Sequence, residues 1–213
     1  MQILKDEIRD RIRKAALAEF NREGYLKTSM RNIAESANVA IGNVYRYYKS
    51  KDELFEELVR PVYERYEANM AEMRQKINFG YSNEPPDVLK YFSNIEATLI
   101  DLFKTFTAEM SIFFNQSEGT RYSHAKPDLF KLSFSVIECM ILNVRGTGSL
   151  NEYETALARM ISSSLVEGLC LILRDNVEGE IYNKLIDELL SIYSAGLNSV
   201  IHKMQAQGRA QTQ

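Results

Sequence analysis

Between Thr28 and Lys51 the chain reads TSMRNIAESANVAIGNVYRYYKSK, two short helical patterns around a tight polar turn. This segment constrains the fold more than any other. Thr28 stands where its hydroxyl can cap the first short helix. Ile33, Ala34 and Ala37 make one apolar face, and the two alanines are small enough for a second helix to cross closely. Asn38 suits the turn because it tolerates left-handed backbone angles. Val39 returns to the core. In the second helix, Val44 and Tyr48 are spaced i, i+4 and point inward. Ile41, Gly42, Asn43, Tyr45, Arg46 and Tyr47 then face out. A merely structural helix would expose Lys and Glu there. An amide, a guanidinium and two phenols are instead groups that reach base edges and phosphates. Ser50 opens a capping box with Glu53 and restarts the helix. The pattern is that of a helix-turn-helix, whose second helix enters the DNA major groove.

Charge follows the same division. The chain has a net charge of −3. Residues 1–51 carry 11 Lys+Arg against 6 Asp+Glu, and the remainder carries 15 against 23. An electropositive head thus precedes an electronegative body, which orients the head toward a polyanion.

The remaining sequence predicts an all-α chain. Four prolines and ten glycines in 213 residues leave room for long helices with short connections. A first helix is expected over 5–22, with Gly24 as a left-handed cap and Tyr25 folding back on its last turn. A fourth helix starts at Ser50 and reaches about Ile77, kinked near Pro61, where proline removes one backbone bond. GYSNEPPD, residues 80–87, reads as a linker. Helices over 88–106, a short one through Phe114, and one over 128–145 follow, with a loop over 115–127. Gly146-Thr147-Gly148 is a turn, not a dinucleotide fingerprint, because no strand precedes it and the third glycine is missing. Two long helices over 151–174 and 178–204 close the chain. The first is apolar on all sides, so a second subunit is expected to cover part of it. The residues from 205 on form a polar tail.

Several classes are disfavoured. No HExxH, GxSxG or Walker pattern occurs, and His124 and His202 stand far apart, so an enzyme is not expected. Cys139 and Cys170 lack ligand spacing, so no metal or cofactor is expected and both cysteines read as reduced core residues. The N-terminus carries no charged-then-apolar leader, and the longest strongly apolar run, Leu169 to Leu173, is too short for a bilayer. A cytoplasmic protein without membrane contact is the expectation. An all-helical interaction protein is the alternative, separable by salt-dependent retention on duplex DNA.

The series Thr28…Ile33-Ala34…Ala37…Val39…Gly42…Val44-Tyr45…Tyr47-Tyr48…Ser50-Lys51…Glu53-Leu54 resembles the TetR family of bacterial transcriptional regulators. The resemblance covers about the first 60 residues. It implies a three-helix DNA-binding domain over 1–50, a connecting helix over 51–79, and a larger helical effector-binding and dimerisation domain over 80–204. It further implies a homodimer on a near-palindromic DNA operator, most often a repressor released by a small molecule. Candidate DNA contacts are Thr28, Arg31, Ile41, Gly42, Asn43, Tyr45, Arg46, Tyr47 and Lys51. Tyr45, Tyr47, Lys51 and Thr28 are assigned to phosphates, and Asn43 and Arg46 to bases. Phe103, Phe106, Met110, Phe113, Phe114, Phe134, Ile137, Met140 and Met160 are candidate lining for an effector pocket. Such lining suits an apolar or aromatic ligand. Ile161, Leu165, Gly168, Leu189, Tyr193, Gly196 and Val200 are the candidate dimer contacts.

Overall fold

The computed structural model describes residues 2–82, 98, 100, 102–104, 107–146, 148–175 and 179–210. The expected helix over 88–106 and most of the expected linker fall largely outside these residues. The described helices are α1 (Gln2–Lys27), α2 (Met30–Ser36), α3 (Ile41–Tyr47), α4 (Lys51–Ser82), α5 (Thr107–Asn115), α6 (Ala125–Arg145), α7 (Glu152–Asp175) and α8 (Glu180–Ala210). No strand occurs among the described residues.

Helix α1 is interrupted at Gly24, whose φ of 79° is the left-handed conformation expected of it. The Tyr25 ring then stacks on Phe20. Ile12, Ala16 and Phe20 are fully buried along one stripe of α1, and α1 packs against α2, α4 and α5.

Helix α4 continues through Pro61, which is exposed, as one 32-residue element. It also runs through Gly80 and Tyr81 to Ser82, beyond the expected end near Ile77. A helical glycine costs only about 1 kcal/mol, and Pro85 lies too far on to stop the helix at residue 79. Leu54, Leu58, Val62, Tyr66, Met70 and Met73 form its buried stripe.

The body is knitted around α7, which packs against α5, α6 and α8. Helix α6 begins at Ala125, three residues before the expected start, and ends at Gly146 in the left-handed conformation (φ 70°). Helix α8 extends to Ala210, so most of the expected polar tail is helical. Asn151 caps α7: its side chain accepts from the Glu154 amide at 2.9 Å, and Glu154 accepts from the Asn151 amide at 2.8 Å. Glu154 is buried and ion-paired with Arg145. Among the described residues, α7 is the one helix long and apolar enough to cross a membrane by length and composition, which the short run Leu169–Leu173 did not reveal. Much of its apolar surface instead faces neighbouring helices.

Head and body touch directly. The Tyr25 amide donates to the Gln116 carbonyl at 3.0 Å. The Gln116 side chain donates back to the Asn21 carbonyl at 3.2 Å. Leu26 sits over Gly119, where an added Cβ would lie 2.4 Å from its Cδ2. Tyr122 meets the rings of Phe55 and Tyr63 on α4.

Candidate nucleic-acid interface

Helix α3 spans the residues expected for the reading helix. Val44 and Tyr48 are buried, while Ile41, Gly42, Tyr45 and Arg46 are exposed and Asn43 and Tyr47 half-buried. Ile33 and Ala34 of α2 and Ala37 just past its end pack beneath. The turn passes through Asn38 at φ 51°, and the Val39 amide donates to the Ala34 carbonyl at 3.0 Å. A Cβ on Gly42 would meet nothing within 4 Å. The glycine therefore keeps the outer surface low rather than serving internal packing. Tyr45 is 53 % exposed. Arg46 has no hydrogen-bond or ion-pair partner among the described residues, so its guanidinium is available to an external acceptor.

The framework beneath α3 is held by charge. Tyr48 donates to Glu57 at 2.9 Å, and Glu57 also takes Arg9 at 2.6 Å and Arg13 at 3.3 Å. This cluster joins α1, α4 and the end of α3. Burial pushes the Tyr48 phenol up to about 12, so it stays a neutral donor. The capping box forms in shifted register. The Glu53 amide donates to Ser50 Oγ at 3.1 Å, while the Glu53 carboxylate takes the Lys49 amide at 2.7 Å.

The expected cap at Thr28 is corrected, and two of the expected DNA contacts, Thr28 and Lys51, have partners inside the head. Ser29, not Thr28, caps α2, accepting from the Asn32 amide. Thr28 is buried and donates to the carbonyls of Gly24 at 2.8 Å and Glu19 at 3.2 Å. Its hydroxyl is directed into the fold. Lys51 Nζ donates to the carbonyls of Tyr25 at 2.7 Å and Thr28 at 2.9 Å, and lies 4.2 Å from the Tyr25 ring centre. Desolvation lowers its pKa. Its ammonium joins the end of α1 to the start of α4 while the side chain stays half-buried. Arg31 is exposed and pairs with Glu35 one turn on.

Arg11 was missed by sequence reading. Its Nη2 donates to the carbonyls of Ala37 at 2.7 Å and Asn38 at 2.8 Å. No local pattern signals a partner 26 residues away.

In the body, Phe103, Met110 and Phe113 are fully buried, and Phe114, Ile137 and Met140 nearly so. The rings of Phe103, Phe113, Phe114 and Tyr66 pack on one another. Phe134 is half-buried beside Phe130. Met160 is 60 % exposed on the outer side of α7, which removes it from an interior lining. Phe106 lies outside the described residues. Two shallow clefts of about 330 Å³ open elsewhere. One lies among Arg74, Ile77, Asp128, Lys131, Leu132 and Ser135, the other among residues of α5, α6 and α7 including Lys126 and Arg174. None of the expected pocket residues lines either cleft.

The residues expected at a dimer face divide within the single subunit. Ile161 and Leu165 are buried within the subunit, and Gly168 packs on Leu189, 3.0 Å from an added Cβ. Leu189, Tyr193 and Val200 are half-buried, while Gly196 is exposed with open space above it. The outer face of α7 instead carries Tyr153, Met160 and Leu171, and that of α8 Ile181, Leu185 and Ile192.

An all-helical chain with a short, polar-faced second helix on a charged three-helix head is a helix-turn-helix protein. The family model described as "Bacterial regulatory proteins, tetR family" matches residues 12–58, the part of the chain that carries α2 and α3. It is 31% identical over 117 residues to the HTH-type transcriptional regulator AcrR of Shigella flexneri, covering 53% of this chain and 50% of that protein. It is 42% identical over 62 residues to the HTH-type transcriptional repressor KstR of Mycolicibacterium smegmatis, covering 29% and 30%. The matches thus span half or less of these curated relatives. The fold is similar to the crystal structure of NalD, the secondary repressor of the MexAB-OprM multidrug efflux pump in Pseudomonas aeruginosa. There the TM-score is 0.50 at 19% identity, over 90% of this chain and 95% of that one.

Proposed function

We propose that this chain is a ligand-responsive DNA-binding regulator of transcription, a repressor acting in the cytoplasm as a two-fold dimer. The observation that carries the reading is the outer face of α3. It presents Tyr45 and Arg46 exposed, with Asn43 and Tyr47 beside them, on a helix whose inner residues are locked. An amide suits adenine and a guanidinium suits guanine, so Asn43 and Arg46 are assigned to bases and Tyr45 and Tyr47 to phosphates. The curated relatives named as transcriptional regulator and repressor support the DNA-binding reading of the head.

The dimer reading rests on the bare α7–α8 face. Met160 is 60 % exposed, Leu171 49 % and Ile192 65 %. Exposed Ala156, Ser163, Ser164 and Gly196 lie among these large residues and allow close helix approach. Two copies joined there would place their reading helices for successive major grooves, roughly 35 Å apart on a near-palindrome. An apolar or aromatic effector is the reading for the body, given the aromatic packing between α4, α5 and the turn before α6.

The test uses fluorescent duplexes and the full-length chain. Random-sequence duplex at low salt should be bound with a steep salt dependence. Selection from a random library should return a two-fold symmetric site. Light scattering should give twice the 24.5 kDa chain mass. A monomer with no salt-sensitive DNA binding would sink the proposal.

A further inference from the structure

Two of the cations that make the head basic donate to backbone carbonyls, Arg11 from an exposed position and Lys51 from a half-buried one. They bracket α2. Before it, Lys51 Nζ holds the Tyr25 and Thr28 carbonyls. After it, Arg11 Nη2 holds those of Ala37 and Asn38. The second pair forms the turn that sets the angle of α3, and it includes the only non-glycine with positive φ among the described residues.

Helix α2 has seven residues, and a helix that short is not stable alone. Its late carbonyls at Ile33, Ala34 and Glu35 take the amides of Ala37, Val39 and Asn38, and the Arg11 cation on the carbonyls just beyond opposes the negative end of the helix. Each cation also reaches from a different long helix. Arg11 belongs to α1 and Lys51 opens α4, so the pair fixes the α2–α3 unit to both.

We infer that Arg11 and Lys51 are positioning residues. They set the pose of the reading helix by clamping the chain on either side of α2. The inference rests on the DNA-binding reading above and changes the role assigned to Lys51 within it. Loss of a phosphate contact weakens binding to all sequences and flattens the salt dependence. Loss of pose weakens only the sequence that must be read.

The experiment compares two duplexes of equal length: one selected by the wild-type chain from a random library, and one of random sequence. Affinities of Arg11→Met and Lys51→Met are measured across a salt series, with helicity monitored by circular dichroism. The expected result is a loss of about tenfold or more on the selected duplex. Binding to the random duplex should stay within about twofold, and the slope of log affinity against log salt should be unchanged. Equal losses on both duplexes, with a slope shallower by about one, would make the residue a phosphate contact and overturn the inference for it. Unchanged affinity on both would overturn it as well. Should a methionine variant unfold, Arg11→Lys and Lys51→Arg keep the charge but displace the donor. Intact discrimination in these overturns the inference, and weakened discrimination upholds it. If the wild-type chain binds neither duplex, the DNA-binding reading fails first, a result distinct from any variant outcome.

Discussion

Two faces of this molecule leave large side chains in water, and they differ in what those side chains end in. On α3 the exposed aromatic is Tyr45, beside Arg46. Each has an apolar body and a polar tip. On α7 and α8 the exposed residues include Met160, Leu171, Ile181 and Ile192, which end in methyl groups. Between them stand the small residues Ala156, Ser163, Ser164 and Gly196, and the Ser164 hydroxyl donates to the Met160 carbonyl of its own helix. A polar-tipped surface gains by meeting a hydrogen-bonding, charged partner. A methyl surface with small residues gains by excluding water against another helix. Exposure alone therefore does not name a partner; the terminal atoms do.

The sharpest break of this comparison lies in α7, where inner and outer residues alternate. Leu165 is only 9 % exposed, so Leu165→Ala should cost about 2–5 kcal/mol of folding stability while leaving the oligomer intact. Denaturant unfolding and light scattering on the same sample separate the two quantities. Ile192→Glu should do the reverse. Stability of the subunit holds, the dimer dissociates, and operator affinity falls by about 100-fold or more, roughly 2.7 kcal/mol, because two linked sites become one. Retained dimer mass in Ile192→Glu would show that the methyl face is not the interface.

On the other face, Arg46→Ala should cost about 1–3 kcal/mol on the operator and relax one base position. Equal weakening on every sequence would move Arg46 to the phosphate group. The smallest effect concerns two buried phenols of the head. Tyr25 and Tyr48 are both raised from 10.0 to about 12, chiefly by burial. A raised folded value means the folded state keeps a proton that the unfolded state releases. That stability is complete below pH 10 and is lost as pH rises from about 10 to 12. Thermal midpoints across that range should fall. Tyr48→Phe should blunt the fall while costing about 1 kcal/mol near neutrality through its lost hydrogen bonds.

The head was legible because its signals are local. The inward pair Val44 and Tyr48, the left-handed Asn38 and Gly24, and the Ser50–Glu53 cap all depend on residues within one or two turns. Thr28 was misplaced by one position because Thr28 and Ser29 can both cap. The choice is made by the carbonyls of Glu19 and Gly24, which take the threonine hydroxyl. Lys51 and Arg11 were illegible for a related reason: their partners lie 23 to 27 residues away in sequence. In the body, α7 is apolar on nearly every side. Periodicity then cannot say which side faces α5 and α6 and which is left bare, so Ile161 and Leu165, expected at a dimer face, are buried inside the subunit. An apolar pocket and an apolar core also share one composition. The buried Phe103, Met110 and Phe113 show how little such a composition separates the two.

Helix α4 is the covalent link between the two halves, yet the head is mounted at more than that one point. The Tyr25 amide is fastened to Gln116, Leu26 rests in the space left by Gly119, and Phe55 meets Tyr122. A body mounted at a single point can pivot; one with separate supports can only travel with what supports it. Turning the head about α4 alone would part the Tyr25–Gln116 bond and drive Leu26 out of its seat. The segment from Gln116 to Tyr122 is thus the bearing on which the reading helices ride, and any displacement of it is carried whole into their placement.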